Sequence, residues 1–357
     1  MVSPPELIDD AAAEIFVHLP PDEPAHLIRA SLVCRQWRRI ITDGAFLRRY
    51  RASHGVPPLL GFVCNLAARV DTITSPRFFP TAGPSIVPMP AFLGSSKALD
   101  CGHGRVLLGP FDDDTMARLV VLDPITGDHQ IPRGYYTAAV FCAARGCAHL
   151  NCRGGPYRVV VAGAASSAGG AMRAHLYSSE AAAWVASARL IPCPHVRRKP
   201  AAVVGDDVYF QLMFADDMIL RYDMGRNRLS TFHPPADAKE GGIVLLSMAD
   251  GSLGLAGVRG SRLCLWSTDA SPEGIAGWVR CKSIELMEKI PFMPYSEARV
   301  VGCAEGLGVV FVETEVGLFT IDLKSGRERK VSEPGNHFVV FPITSFYTPG
   351  MVAADIA

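Results

Sequence analysis

The hydrophobic period of this chain changes once. Apolar positions recur at helical spacing up to about residue 50, and from about residue 60 short apolar runs alternate with turn residues. In "LVCRQWRRII", residues 32–41, Val33, Trp37, Ile40 and Ile41 fall on one helical face while Arg35, Arg38 and Arg39 take the other. A first helix is predicted over residues 9–19, with Asp9 or Asp10 capping the positive end of its dipole and Ala12, Ile15, Phe16 and Leu19 on one face. Pro20 and Pro21 stop it. Asp22 caps a second helix, with Pro24 tolerated in its first turn and Leu27, Ile28, Leu32 and Val33 running on into the stretch just quoted. Thr42, Asp43 and Gly44 break that run, and Asp43 caps a last short helix bearing Phe46, Leu47 and Tyr50. A head of roughly fifty residues buries little apolar surface, so it is expected to lean on the body or on a partner.

After a linker at HGVPP, residues 54–58, the pattern is that of strands. The pieces LVVLDPITGDHQIP, HLYSSEAAAWVASA, ILRYDMGRNRLSTFHPP and LFTIDLKSGRERKVSEPG each hold two apolar runs around a turn. Three of them end the first run in Asp followed by a Gly-containing turn: Asp123 with Gly127, Asp223 with Gly225, and Asp322 with Gly326. A further pair of runs precedes each, such as AAVVGDDVYFQLM or ARVVGCAEGLGVVFVET. These landmarks recur at roughly 45–57 residues, the interval of a four-stranded propeller blade, which predicts about six blades. RLCLWSTDASPEGIAGWVRCKSIEL fits as one more unit, with Trp266 and Trp278 flanking an insertion. Pairing the strand around residues 337–343 with that near residues 60–63 is expected to close the ring and remove exposed edges.

The head carries a resemblance. Leu7, Glu14-Ile15, Leu19-Pro20-Pro21, then Leu27-Ile28-Arg29-Ala30-Ser31-Leu32-Val33-Cys34-Arg35-Gln36-Trp37, then Phe46-Leu47, in that order, resemble an F-box, with Leu-Val-Cys-Arg-x-Trp the most specific piece. "LPPDEPAHLIRASLVCRQWRR" and "FLRRYRASHGVPPLLGF" resemble a grass-type plant group of F-box proteins. The resemblance implies a helical module that docks a Skp-type adaptor and, through it, a cullin. It implies adaptor-facing positions at Leu7, Ile8, Ile15, Leu19, Pro20, Leu27, Val33 and Cys34, with Leu32, Trp37 and Ile41 holding the helices together. This chain departs from the family at Ile8, where a Pro is usual, and at Ala11-Ala12, where a leucine pair is usual, so the adaptor contact is expected to lose apolar area. The Trp residues and the Gly-Gly pairs at 154–155, 169–170 and 241–242 loosely resemble kelch repeats, too irregularly to assign, and the WD signature is absent.

Composition narrows the picture. The 357 residues are 49% hydrophobic and 20% charged, enough for a sizeable core and unlike a disordered chain. A formal net charge of zero gives no field that recruits nucleic acid or an anionic membrane. No signal peptide and no membrane span is predicted, and the ten cysteines lack a secreted disulfide framework, so reduced thiols and a cytoplasmic or nuclear location are expected. Arg29, Arg35, Arg38, Arg39, Arg48, Arg49 and Arg51 lie close together. They read as a solvated helix face or a site for an acidic protein partner rather than a nucleic-acid patch, since no aromatics are interleaved for stacking.

Catalytic motifs are missing: no HExxH, GxSxG, Walker loop or GxGxxG in the required context. The glycine-rich piece at residues 162–172 reads as a hairpin loop, and Asp112-Asp113-Asp114 and Asp216-Asp217 as solvated turns. Cys142, Cys147, His149 and Cys152 in FCAARGCAHLNC offer four soft ligands. Their spacing, C-x4-C-x-H-x2-C, matches no regular finger, and the preferred reading places Cys142 in a buried strand and the others in a loop, with no metal or cofactor.

The expected architecture is therefore multidomain α+β: an F-box helical domain at residues 1–55 and an all-β, propeller-like domain of about six blades at residues 56–357. The expected function is substrate recognition in a Skp-cullin-F-box (SCF) E3 ubiquitin ligase, with the head docking the adaptor and the propeller binding a protein substrate. The alternative is a propeller enzyme, or a small-molecule or carbohydrate binder, with a non-functional F-box. Without an acid, nucleophile or metal constellation the non-catalytic reading is favoured.

Overall fold

Four helices open the chain: α1 (Asp9–Val17), α2 (Pro24–Val33), α3 (Arg35–Thr42) and α4 (Gly44–His54). The computed structural model describes residues 8–65, 67–69, 72–73, 76–81, 96–110, 118–123, 126–130, 135–144, 146–147, 149, 152, 155–164, 171–190, 195–197, 199–213, 218–238, 242–271, 274–291, 297–335, 337 and 339–346. Leu7, both acid clusters and most of the glycine-rich loop lie outside them. Asp43 caps α4 as its sequence predicts, its Oδ1 accepting from the backbone N–H groups of Ala45 at 2.8 Å and Phe46 at 3.1 Å. The run of apolar positions that starts in the second helix divides here into two helices. Cys34 is extended (φ −157°, ψ 164°) and its Sγ accepts from the Trp37 N–H at 3.4 Å, so the chain turns and α3 starts afresh.

Ala12, Phe16, Leu27, Ile40, Ile41, Phe46 and Tyr50 form the helical core, with Phe16 edge-on to Trp37 at 5.0 Å. Polar ties cross it: Gln36 and Arg39 each donate to Asp9 at 2.6 Å, and the Tyr50 hydroxyl donates to the Leu19 carbonyl at 3.0 Å. The expected support from the body arrives through Phe346, which is buried in this core with its ring 6.1 Å from that of Tyr50.

The rest is a six-bladed β-propeller. Blade two is Ser96–Gly102, Arg105–Pro110, Arg118–Asp123 and Thr126–Gln130; blade three is Tyr135–Cys142, Tyr157–Ala164, Met172–Ser178 and Ala183–Leu190. In blade four the inner edge is split between His195–Val196 and Ala202–Val204, both paired to Asp207–Met213, followed by Ile219–Asp223 and Arg228–Phe232. Blade five is Ile243–Ser247, Leu253–Arg259, Arg262–Ser271 and Gly274–Glu285, and blade six is Arg299–Ala304, Val309–Thr314, Gly317–Asp322 and Glu328–Ser332. The insertion expected between Trp266 and Trp278 is instead a prolonged hairpin, whose ladder continues through Thr268 opposite Trp278 and Ser271 opposite Gly274.

Blade one closes the ring from both ends of the domain. Val340–Thr344 supplies its inner strand and pairs antiparallel with Leu59–Cys64, which in turn pairs with Arg77–Pro80. Phe62 lies opposite Pro342 and Val63 opposite Phe341, the closure its sequence predicts. The inner strands touch in sequence around the whole ring.

Two glycines permit that close approach. A Cβ on Gly102 would stand 2.3 Å from the Val140 carbonyl oxygen of blade three, and one on Gly302 would stand 2.5 Å from that of Val340 in blade one. The hairpin turns are made by short acids accepting local N–H bonds. Asp223 Oδ1 takes the Arg226 N–H at 2.8 Å, and Asp322 Oδ1 takes those of Ser325 at 2.6 Å and Lys324 at 3.0 Å.

Candidate functional site

The surface of the head is apolar where a folded monomer normally avoids it. Ile8, Ile15, Leu32 and Val33 are exposed at 70%, 54%, 75% and 64%. Of the positions expected to face an adaptor, Ile8, Ile15, Pro20, Val33 and Cys34 are exposed, and Leu19 is half-buried against the helical core. Leu27 is not on the surface: at 1% exposure it belongs to the core. Leu32 departs in the opposite sense, since it was expected to pack and instead stands out in solvent. The break at Cys34 ends α2 on Leu32 and Val33 and hands the inward direction to Ile40 and Ile41 of α3. Trp37 packs against the core and Ile41 is fully buried. Among the clustered arginines, Arg39 pairs with Asp9 and Arg49 with Glu14.

On the propeller axis lies a cavity of about 1380 Å³ bounded by inner-strand residues of all six blades, among them Asp100, Val140, Val203, Leu245, Cys303 and Phe341. Gly55, Val56 and Pro57, the link from the head, line the same cavity. Two acids face it. Asp100 Oδ2 accepts the Val140 N–H at 2.8 Å, and Glu305 Oε1 accepts the Ser247 N–H at 3.0 Å, so each carboxyl ties its own blade to a neighbour. Burial pushes the Asp100 carboxyl up to about 7 against the pull of the Val140 N–H. Glu305 lines the cavity, and enclosure by its walls, with a smaller contribution from Asp100, raises it to about 8. The sequence reading missed both acids. Their signal is a single acid at the end of an otherwise apolar inner run, in ALDCG and GCAEG.

A pH dependence follows. A carboxyl whose pKa is raised on folding contributes stability that is fully present below its unfolded value and lost as pH rises through its folded value. For Asp100 that window runs from about 4 to about 7. The melting temperature of Asp100→Asn minus that of the wild type is therefore expected to rise between about pH 4 and about pH 7, by roughly 3–6 °C. Thermal unfolding across that range checks it, and a difference that stays flat with pH contradicts it.

The loop between the first two strands of blade three brings together residues the sequence left as a strand end and a loop. Cys142 does end its strand, opposite Tyr157, and the others do lie in the loop. Yet one ligand atom from each of Cys142, Cys147, His149 and Cys152 lies within 4.8 Å of the rest. Cys147 Sγ is 3.7 Å from Cys152 Sγ, and His149 Nδ1 is 3.3 Å from it. His103, from the first turn of blade two, adds its Nδ1 at 3.7 Å from Cys152 Sγ and a ring centroid 4.4 Å from that of His149. Burial pushes the Cys152 thiol up and pulls the His103 imidazole down to about 4, whereas the His149 backbone N–H draws the Cys147 thiol below its usual range.

A helical head with apolar side chains left in solvent, joined to a closed propeller, defines a two-part binding protein. Family profiles match both parts: residues 9–52 match the F-box-like family, and residues 97–350 match the family described as F-box protein AT5G49610-like, beta-propeller. The chain belongs to this family of F-box proteins with a C-terminal β-propeller. No curated protein matches. The solved structures that match do so only distantly. One of two prolyl endopeptidases is 12% identical over 65% of this chain and 33% of its own, with a TM-score of 0.36. The extracellular domain of a putative one-component system from Bacteroides thetaiotaomicron is 15% identical over 68% and 28%, with a TM-score of 0.34. A protein of unknown function from the same organism is 12% identical over 72% and 64%, with a TM-score of 0.40. The chain thus spans less than two thirds of the length of each.

Proposed function

We propose that this chain is the substrate receptor of an SCF-type E3 ubiquitin ligase. Residues 1–55 dock a Skp-type adaptor and, through it, a cullin; residues 56–357 bind the target protein. The observation that carries this reading is the set of exposed side chains Ile8, Ile15, Leu32 and Val33 on a head of the F-box family. Large apolar residues grouped on one small module desolvate against a partner, and Leu19, Pro20 and Cys34 extend the surface they offer. The chain performs no bond chemistry in this role. It holds a substrate near a ubiquitin-loaded enzyme and so raises the local concentration of one for the other. It works in the cytoplasm or the nucleus, where adaptor and cullin meet it.

The test is affinity capture of the full chain from its own tissue, with and without proteasome inhibition. The adaptor and cullin are expected in both, and substrates are expected to accumulate only under inhibition. Capture of a folded chain with neither adaptor nor cullin contradicts the proposal.

A further inference from the structure

The loop cluster on blade three is built like a metal centre, and two of its ligand separations match those of a tetrahedral site. In a tetrahedral zinc site with bond lengths of about 2.3 Å to sulfur and about 2.0 Å to nitrogen, neighbouring sulfurs lie about 3.8 Å apart and sulfur and nitrogen about 3.5 Å apart. Cys147 and Cys152 stand at 3.7 Å, and His149 Nδ1 and Cys152 at 3.3 Å. We propose that Cys142, Cys147, His149 and Cys152 bind one structural Zn(II) as a Cys3His centre at the mouth of the axial cavity.

Ordinary packing does not account for this convergence. Cysteine behaves as a small hydrophobe only when buried, and here Cys152 is buried while Cys142 and Cys147 are half-buried and His149 is exposed. A disulfide accounts for less. It would need Cys147 and Cys152 to close from 3.7 Å to about 2.05 Å, and it would leave Cys142 and His149 gathered there for no purpose. The donor set chooses the ion: three thiolates and an imidazole are too soft for calcium or magnesium, which take oxygen. Four protein ligands fill a tetrahedron and leave no open position, so the ion's role is structural.

Neighbouring groups complete the site. His103 reaches Cys152 Sγ from blade two, placed to donate a hydrogen bond to a metal-bound thiolate. Arg105 is buried and donates to the carbonyl oxygens of Cys152 and Gly155 at 2.7 Å each, holding the end of the loop. His103 and His149 both adopt left-handed backbone, at φ +53° and +55°, on facing turns of two blades. Zinc entering the site displaces the three thiol protons to solvent and pins the loop of blade three to the first turn of blade two. His103, Cys142, His149 and Cys152 all line the axial cavity, so the ion fixes the shape of one side of its mouth.

Metal analysis of the purified full-length chain tests this directly. The wild type is expected to hold about one zinc per chain, and a Cys147→Ser, Cys152→Ser variant less than about a tenth of that. Cys281→Ser, at an exposed cysteine of blade five, is expected to keep the full content. Should the double variant fail to fold, His149→Asn gives a second reading, because asparagine tolerates left-handed backbone and its replacement alone should weaken zinc retention at least about tenfold against a competing chelator. Exchange of the wild type into Co(II) should give the visible bands and sulfur charge-transfer absorption of tetrahedral thiolate cobalt. A folded wild type with no stoichiometric zinc and no such spectrum overturns the proposal, as does a Cys147–Cys152 disulfide or a different stoichiometric metal. Adaptor binding is a separate readout, so failure here leaves the ligase reading standing.

Discussion

Replacing Ile15 and Val33 together by aspartate is expected to lower the affinity of the full chain for a Skp-type adaptor by roughly a hundredfold or more. Buried apolar anchors at an interface are each worth about 1–3 kcal/mol, and each aspartate adds the cost of desolvating a charge. The choice of positions follows from exposure. Ile15 and Val33 stand in solvent and hold nothing inside the head, so the change falls on binding and not on folding. Trp37→Ala is a poor probe by contrast: its ring packs against Phe16, and removing it opens a core cavity costing about 3–5 kcal/mol. Leu27→Asp fails for the same reason, since Leu27 is buried. The measurement is binding of purified variant to adaptor, with thermal unfolding as the folding control. Unchanged affinity contradicts the assignment of this surface.

Ending the chain at residue 339 is expected to abolish cooperative folding of the propeller. That truncation removes the inner strand of blade one, leaves Leu59–Cys64 with an unpaired edge, and takes Val340, Phe341 and Ile343 out of the core. It also takes Phe346 from the head, so both parts lose packing at once. The single variant Phe341→Ala isolates the closure from the head. Phe341 is buried between blades one and two, packed with Val63, Ala98 and Val106, and its truncation is expected to cost about 3–5 kcal/mol. For a domain of this size that is a fall in melting temperature of about 5–8 °C. A truncated chain that melts like the wild type contradicts ring closure by Val340–Thr344.

The two parts of the molecule were legible for different reasons. The blades announce themselves because their outer hairpins need turn chemistry at fixed places, and Asp223 and Asp322 are visible in the sequence before their hydrogen bonds are. The closure was legible because a terminal apolar run with no partner of its own demands one. In the head, helix existence was legible and helix phase was not. The family resemblance put Leu27 toward an adaptor and Leu32 inside, whereas Leu27 is buried and Leu32 exposed beside the extended backbone at Cys34. A free cysteine acting as an N-cap carries little warning in sequence.

The chemistry-bearing residues were the least legible. The spacing of Cys142, Cys147, His149 and Cys152 gives four ligands but no distances, and a loop that folds back on its own strand supplies what a regular finger motif would have encoded. His103 lies far upstream on another blade, and only the ring brings it there. Asp100 hid within an apolar strand and Glu305 just after one, where an acid reads as a surface residue until the axis of the propeller is known.

The central claim is that the head of this chain docks a Skp-type adaptor, and calorimetric titration of the folded, full-length wild type with an adaptor from its own organism tests it most directly. Binding of one adaptor per chain with a Kd below about 1 μM, lost in Ile15→Asp, Val33→Asp, is the predicted result. A wild type whose propeller unfolds cooperatively but which binds no such adaptor contradicts it, and the departures at Ile8, Ala11 and Ala12 would then mark a head that no longer docks.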